Sequence, residues 1–268
     1  MRPDLRLDAL SARAGGPGGF TLGPFSTHFP AGALTAIVGP NGSGKTTLLR
    51  AMMETRPLAI TGRVDLGGQD LRQVTLRARA RTIAFVPQRL ELRFPFSALE
   101  VVELGRTPHL GFYGVTSGRD RELARQALEA TDALHLAARR YDTLSAGEQQ
   151  RVAIARGLAQ DTPVLLLDEP LANLDLAHQE LIVRQLHRVA EPGRVVAMVL
   201  HDLALAATVC ERTLVLDRGA VVAAGPSSDT LTPELVARVF GVAVERLTLS
   251  DGRGTLARRL PVPIRAAE

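Results

Sequence analysis

Gly39-Pro40-Asn41-Gly42-Ser43-Gly44-Lys45-Thr46 decides how this 268-residue chain is read. The stretch matches G-x-x-x-x-G-K-[ST], a loop whose backbone N–H groups cradle phosphates. Lys45 is the only lysine present: the sequence holds 32 lysines and arginines, and the other 31 are arginine. An ammonium is compact enough to sit between two phosphates, whereas a guanidinium is a wide planar fork. Arginine serves at every other basic position and not here. Ahead of the loop, Leu34 to Val38 is apolar and partly β-branched and reads as a buried strand. Behind it a helix is expected from about Thr46 to Glu54, stopping before Pro57. A strand that feeds a glycine loop opening a helix makes an anion nest at the helix N-terminus. The expected ligand is a nucleoside triphosphate held by Gly39, Pro40, Asn41, Gly42, Ser43, Gly44, Lys45, Thr46 and Thr47. Lys45 is expected at the β- and γ-phosphates, and the Thr46 hydroxyl on Mg²⁺.

A second constellation lies downstream. Val164 to Leu167 is a continuous apolar run ending in Asp168-Glu169-Pro170. Two carboxylates at the tip of a buried strand suit a phosphoryl-transfer site: Asp168 in the Mg²⁺ shell, Glu169 polarising the attacking water. Leu144 to Arg151 (Leu-Ser-Ala-Gly-Glu-Gln-Gln-Arg) opens a helix, and Ser145 with Glu148 forms a capping box.

Bulk properties narrow the class. A hydrophobic content of 46% fits an ordinary globular core. Net charge is +4, yet the arginines are spread along the chain without interleaved aromatics, and there is no Trp, so a nucleic-acid partner is not expected. Cys210 is the single cysteine and has no internal partner, which suits a reducing compartment. Arg2, Asp4, Arg6 and Asp8 are incompatible with a signal-peptide core, and the longest apolar runs are too short to span a bilayer. The chain reads as soluble. His28, His109, His135, His178 and His187 show no metal-ligand spacing and read as structural or surface residues.

Organisation follows from periodicity. Gly62 to Leu71, centred on Gly67-Gly68, reads as a hairpin, and Thr82 to Val86 as a strand ending at Pro87-Gln88. From about Leu90 to Gln160 the pattern turns helical, with Ser97 to Glu100 as another capping box and helices over Arg119 to Ala130 and Glu148 to Ala159. Apolar strands return at Val164 to Leu167, Val195 to Leu200 and Thr213 to Leu216, separated by helical stretches. This alternation implies an α/β fold with a parallel sheet covered on both faces. Thr232 to Phe240 reads as a capped helix with Pro233 in its first turn. Beyond Val244 the pattern fades into an extension expected on the surface. Gly15 to Gly19 reads as a loop rather than a phosphate motif.

Taken in order, these motifs resemble the ATPases of ABC transporters over roughly residues 5 to 245. Leu144 to Arg151 resembles the LSGGQ-type signature, with Ala146 in place of the second glycine. Gln88 resembles the Q-loop glutamine, Ala172-Asn173-Leu174-Asp175 the D-loop, and His201 the switch histidine. The resemblance implies a P-loop NTPase with a mostly parallel sheet core, an antiparallel β subdomain and an inserted helical subdomain at about 90–160. The ATPase domain would span 1–245, leaving 246–268 as a C-terminal extension. It implies catalysis by Glu169, His201, Gln88 and Lys45, with Mg²⁺ held by Thr46, Gln88 and Asp168. It also implies a head-to-tail homodimer, in which Ser145, Gly147 and Asp175 of one copy complete the ATP site of the other. The family's adenine-stacking aromatic falls by spacing near Arg13, with no aromatic until Phe20.

Phe94 to Val101, Leu104 to His109, Asp175 to Gln179 and Val239 to Val242 resemble the ATPases of iron-chelate, haem and vitamin B12 importers. That implies an ATP-hydrolysing subunit peripheral to the cytoplasmic face of the inner membrane. Its partners would be separate transmembrane permease subunits and, in the complete system, a periplasmic or surface substrate-binding protein. Siderophore or haem is the favoured cargo. A cobalamin importer ATPase and a soluble, non-transport ATPase switch are the alternatives.

Overall fold

A computed structural model describes residues 3–15, 19–53, 58–111, 114–249 and 254–258. The expected helix end at Glu54 to Pro57 and most of the Gly15 to Gly19 loop lie outside the described residues.

The chain opens with strands β1 (Leu5–Arg13) and β2 (Thr21–Phe29), paired antiparallel. Neither strand stands out in the sequence, because the alternation in β2 is weak and is interrupted by Gly23-Pro24. β3 (Leu34–Val38), buried at all five positions, enters the glycine loop, and α1 (Lys45–Met52) leaves it. β4 (Ala59–Leu66) and β5 (Gln69–Asp70) form the expected hairpin and complete an antiparallel sheet of order β2-β1-β4-β5. The short α2 (Leu76–Ala80), capped by Thr75, precedes β6 (Ile83–Val86).

The helical segment holds α3 (Ala98–Glu103), α4 (Gly118–Ala130) and α5 (Ala146–Ala159). Each begins with a complete capping box, at Ser97, Ser117 and Ser145, so two orphan donors per helix are satisfied locally. These helices pack Val101, Leu128 and Val152, with Leu136 from the 3₁₀ turn Leu134–Leu136, into a core of their own. Leu104–His109 is a 3₁₀ helix that ties this core to the rest. The Arg106 guanidinium is 7% exposed and donates to the Asp120 carboxylate at 3.0 Å and the Ala159 carbonyl at 2.7 Å. His109 Nε2 lies 2.8 Å from the Gln160 carbonyl, in keeping with a structural histidine.

The chain then alternates: β7 (Val164–Asp168), α6 (Leu176–Ala190), β8 (Val195–Val199), α7 (Leu203–Val209), β9 (Arg212–Asp217) and β10 (Ala220–Pro226). The six-stranded sheet runs β10-β9-β3-β8-β7-β6, parallel except for the edge strand β10. Its pleat sends alternate residues to two separate cores. Leu165 and Leu167 meet α5, α6 and α7, while Val164 and Leu166 meet α1 and the antiparallel sheet. Burial on both faces is why the strands read as unbroken apolar runs.

After α8 (Ser227–Thr230), α9 (Pro233–Phe240) starts at its Thr232 cap. β11 (Val244–Thr248) and β12 (Gly254–Arg258) then form a hairpin. The extension expected on the surface is so along β11, which is exposed over most of its length, whereas β12 packs inward. Leu256 is buried in the main core and the Thr208 hydroxyl donates to Thr255 Oγ1 at 3.2 Å, so the hairpin is packed on α7. A single inward leucine, Leu256 on β12, is too thin a pattern to read from sequence, and Leu247 on β11 is exposed.

Candidate functional site

The loop between β3 and α1 is held by contacts that leave no room for side chains. A Cβ on Gly39 would stand 2.1 Å from the Leu216 carbonyl oxygen of β9. Gly44, the N-cap of α1, has φ 103°, in the left-handed region that glycine favours. The Phe20 ring fills the space where a Gly44 side chain would go, its Cζ 2.7 Å from that Cβ position. The turn between β1 and β2 brings Phe20 there, with Ala14 N–H donating to the Phe20 carbonyl at 2.9 Å. An aromatic therefore does sit at the loop, whereas Arg13 is exposed at the end of β1. Linear spacing missed it because the hairpin, not the sequence distance, sets the approach.

Lys45 is 7% exposed, and its Nζ donates to the Gly39 carbonyl at 2.8 Å and the Pro40 carbonyl at 3.0 Å. Burial holds its ammonium below the ordinary lysine range, partly offset by the carboxylates of Glu169 and Asp168. The free first-turn N–H groups of α1 lie beside it. Asp168, at the end of β7, is 4% exposed, and its Oδ1 has no hydrogen-bond partner. Burial pushes its carboxyl upward; the Thr46 hydroxyl and the cations of Arg50 and Lys45 oppose this, while Glu169 adds to it. Thr46 Oγ1 and Asp168 Oδ1 are hard oxygen donors of the kind that could hold Mg²⁺. Among the described residues there is no group of three or more His, Cys, Asp or Glu that could hold a metal ion.

Glu169 adopts φ 51°, a left-handed conformation uncommon outside glycine. Its carboxylate is held on both sides. Gln88 Nε2 donates to Oε2 at 2.7 Å, and His201 Nε2 lies 2.5 Å from Oε1. Gln88 follows β6 and His201 follows β8, so residues 81 and 32 positions away meet on one side chain. Lys45, Thr46, Asp168, Glu169, Gln88 and His201 thus converge at the C-terminal edge of the parallel sheet, where open α/β sheets bind ligands.

Ser145, Gly147 and Asp175 are placed apart. The Ser145 hydroxyl accepts from Glu148 N–H at 3.3 Å, capping α5. Asp175 caps α6 through His178 N–H at 2.9 Å, and that bond keeps its carboxyl below the usual range. Among the described residues no hydrogen bond or ion pair joins these three to the Lys45 cluster.

Strand, glycine loop, buried lysine and paired carboxylates together define a P-loop nucleoside triphosphatase. The family model described as ABC transporter matches residues 22–172. A protein named hemin import ATP-binding protein HmuV from Myxococcus xanthus is 48% identical over 246 residues, covering 89% of this chain and 91% of its own length. One of the same name from Nocardia farcinica is 46% identical, over 87% of this chain and 80% of its own. Among solved structures, a metal-chelate type ABC transporter in an inward-facing conformation superposes with a TM-score of 0.80 at 25% identity, covering 96% of this chain and 98% of its own. A bacterial ABC transporter cassette solved as a dimer gives 0.74 at 29% identity, over 83% of this chain and 98% of its own. The chain belongs to the ABC transporter family, as its ATP-hydrolysing cassette.

Proposed function

We propose that this chain is the nucleotide-binding subunit of a haem importer, working as a head-to-tail homodimer beneath a separate permease. The carrying observation is the Glu169 carboxylate, placed by Gln88 and His201 near the buried Lys45 and Asp168. Backbone N–H groups from Gly39 to Thr47 would cradle the phosphates of ATP, and Lys45 would leave its loop carbonyls to meet the γ-phosphate. Thr46 and Asp168, with Gln88 on closure, would hold Mg²⁺, which supplies charge neutralisation for the transferred phosphoryl group. Glu169 would orient the attacking water and draw on its proton, with His201 keeping the carboxylate in register.

Ser145 and Gly147 at the N-terminus of α5, with Asp175, would complete the partner's ATP site, the helix dipole favouring the anionic phosphate. A family member solved as a dimer supports this. Relatives named for hemin import at 46–48% identity favour haem as the cargo. Among the described residues no helix is long and apolar enough to cross a membrane, in keeping with peripheral attachment at the cytoplasmic face. A periplasmic or surface substrate-binding protein would complete the system. We read residues 1–245 as the ATPase domain, with 90–160 as the helical part that meets the permease.

The test is reconstitution in vesicles with a co-purified permease. ATP hydrolysis stimulated by haem supports the reading. Stimulation by a ferric siderophore or cobalamin alone moves the cargo assignment. Failure to associate with any membrane protein removes the importer role.

A further inference from the structure

A cavity of about 350 Å³ lies where three segments meet: Gln88 to Glu91 after β6, the first turn of α5 at Ala146, Gln149 and Gln150, and Asn173 after β7. Two features distinguish it. Gln150 is 5% exposed, and its side-chain Nε2 has no acceptor. The adjacent Gln149, by contrast, donates to the Tyr141 carbonyl at 3.0 Å. Native structures retain few buried amide donors in this state, because desolvation is lost without return. In addition, α5 rests directly on the loop that follows Glu169. A Cβ on Gly147 would stand 2.9 Å from the Asn173 carbonyl oxygen. Gly147 and Gln150 share one face of α5, so a shift of that loop reaches both.

We propose that Gln150 is a positioning residue that acts when nucleotide draws α5 and the Gln88–Glu91 segment together. Its Nε2 then donates to a backbone carbonyl of that segment. The bond fixes the segment and, through it, the Gln88 side chain that donates to Glu169. A donor unmet in one arrangement and met in the other favours the second. Gln150 touches no reacting atom. This inference rests on the closing dimer proposed above. It makes the helix that serves the partner's nucleotide a support for the general base of its own site.

The test uses the purified full chain with Gln150→Met, which preserves length and removes the donor, in native and Glu169→Gln backgrounds. The expected result is nucleotide affinity and KM within about twofold of the parent, with kcat lowered about fivefold or more. ATP-dependent dimer in the Glu169→Gln background should fall as well. Parental kcat and dimer yield would overturn the proposal even if the melting temperature dropped, since packing alone would then explain the residue. Should Gln150→Met not fold, ¹⁵N NMR on Glu169→Gln follows hydrogen exchange of the Gln150 side-chain amide. Slowing by about tenfold on adding Mg-ATP supports the bond, and unchanged exchange overturns it. If Glu169→Gln with Gln150 intact forms no dimer, the dimer reading fails first and this inference with it.

Discussion

Gln88 Nε2 donates to Glu169 Oε2 at 2.7 Å, joining the end of β6 to the end of β7 across the catalytic edge of the sheet. The bond makes the carboxylate position depend on the loop after β6, which also lines the cavity beneath α5. His201 holds the other carboxylate oxygen from β8. The Glu169 carboxylate, proposed above as the general base, is therefore held from two sides, by Gln88 in the loop after β6 and by His201 after β8. Substituting Glu169→Gln retains the shape and removes the base. Phosphate release should fall at least about 100-fold while ATP still binds, and size-exclusion chromatography should show ATP-dependent dimer accumulating.

Lys45→Ala should lower turnover about 100-fold or more, since a preorganised cation at the developing phosphate charge is removed. Lys45→Arg should not rescue it. The site is buried and walled by the Gly39 and Pro40 carbonyls, and a planar fork does not fit where an ammonium does. Steady-state hydrolysis of the two variants is the check.

Asp168→Asn should weaken affinity for Mg²⁺ more than affinity for the nucleotide. The unpartnered Oδ1 loses its charge, while the loop N–H groups stay in place. A Mg²⁺ titration of turnover should shift to higher concentration by about tenfold or more, and chelation with EDTA should abolish turnover in the native chain.

Arg106 carries a structural prediction. Its buried guanidinium joins the 3₁₀ turn to Asp120 and to the C-terminal end of α5. Arg106→Ala should destabilise the chain by about 3 kcal/mol, because removing one partner strands buried polar groups. A thermal melt measures it, and nucleotide affinity just below the melt should be near native.

Tyr141 gives a pH signature. Burial pushes its phenol up to about 12, against an ordinary value near 10. The folded state therefore favours the neutral form. The resulting stability is fully present below about pH 10 and is lost as pH rises toward about 12, on the order of 2 kcal/mol. Tyr141→Phe should flatten that alkaline limb in denaturant melts between pH 9 and pH 11. An unchanged slope would remove Tyr141 as its source.

Much of this was written locally. Buried parallel strands declare themselves as runs such as Val164 to Leu167, because both faces are covered. Capping boxes at Ser97 and Ser145 name their helices through side chains three residues apart. The glycine loop is specified by a spacing that only a strand–loop–helix turn satisfies. Lys45, Thr46, Asp168 and Glu169 were legible because they open a helix or end a strand; Gln88 and His201 were legible only through the resemblance of the ordered motifs to the ABC ATPases. The β1–β2 pair and the β11–β12 hairpin were not, since their burial comes from partners distant in sequence and leaves weak alternation.

The sequence by itself determined the phosphate loop, the buried strand that ends in Asp168 and the helix starts, because each depends on covalent spacing, local apolar pattern and nearest-neighbour hydrogen bonds. Tertiary structure alone decided that Phe20 would back Gly44, that Gln88 and His201 would grip one carboxylate, and that Gln150 would be buried without an acceptor. Those facts depend on which surfaces fold together, and no local pattern encodes the geometry of an approach made across 81 residues.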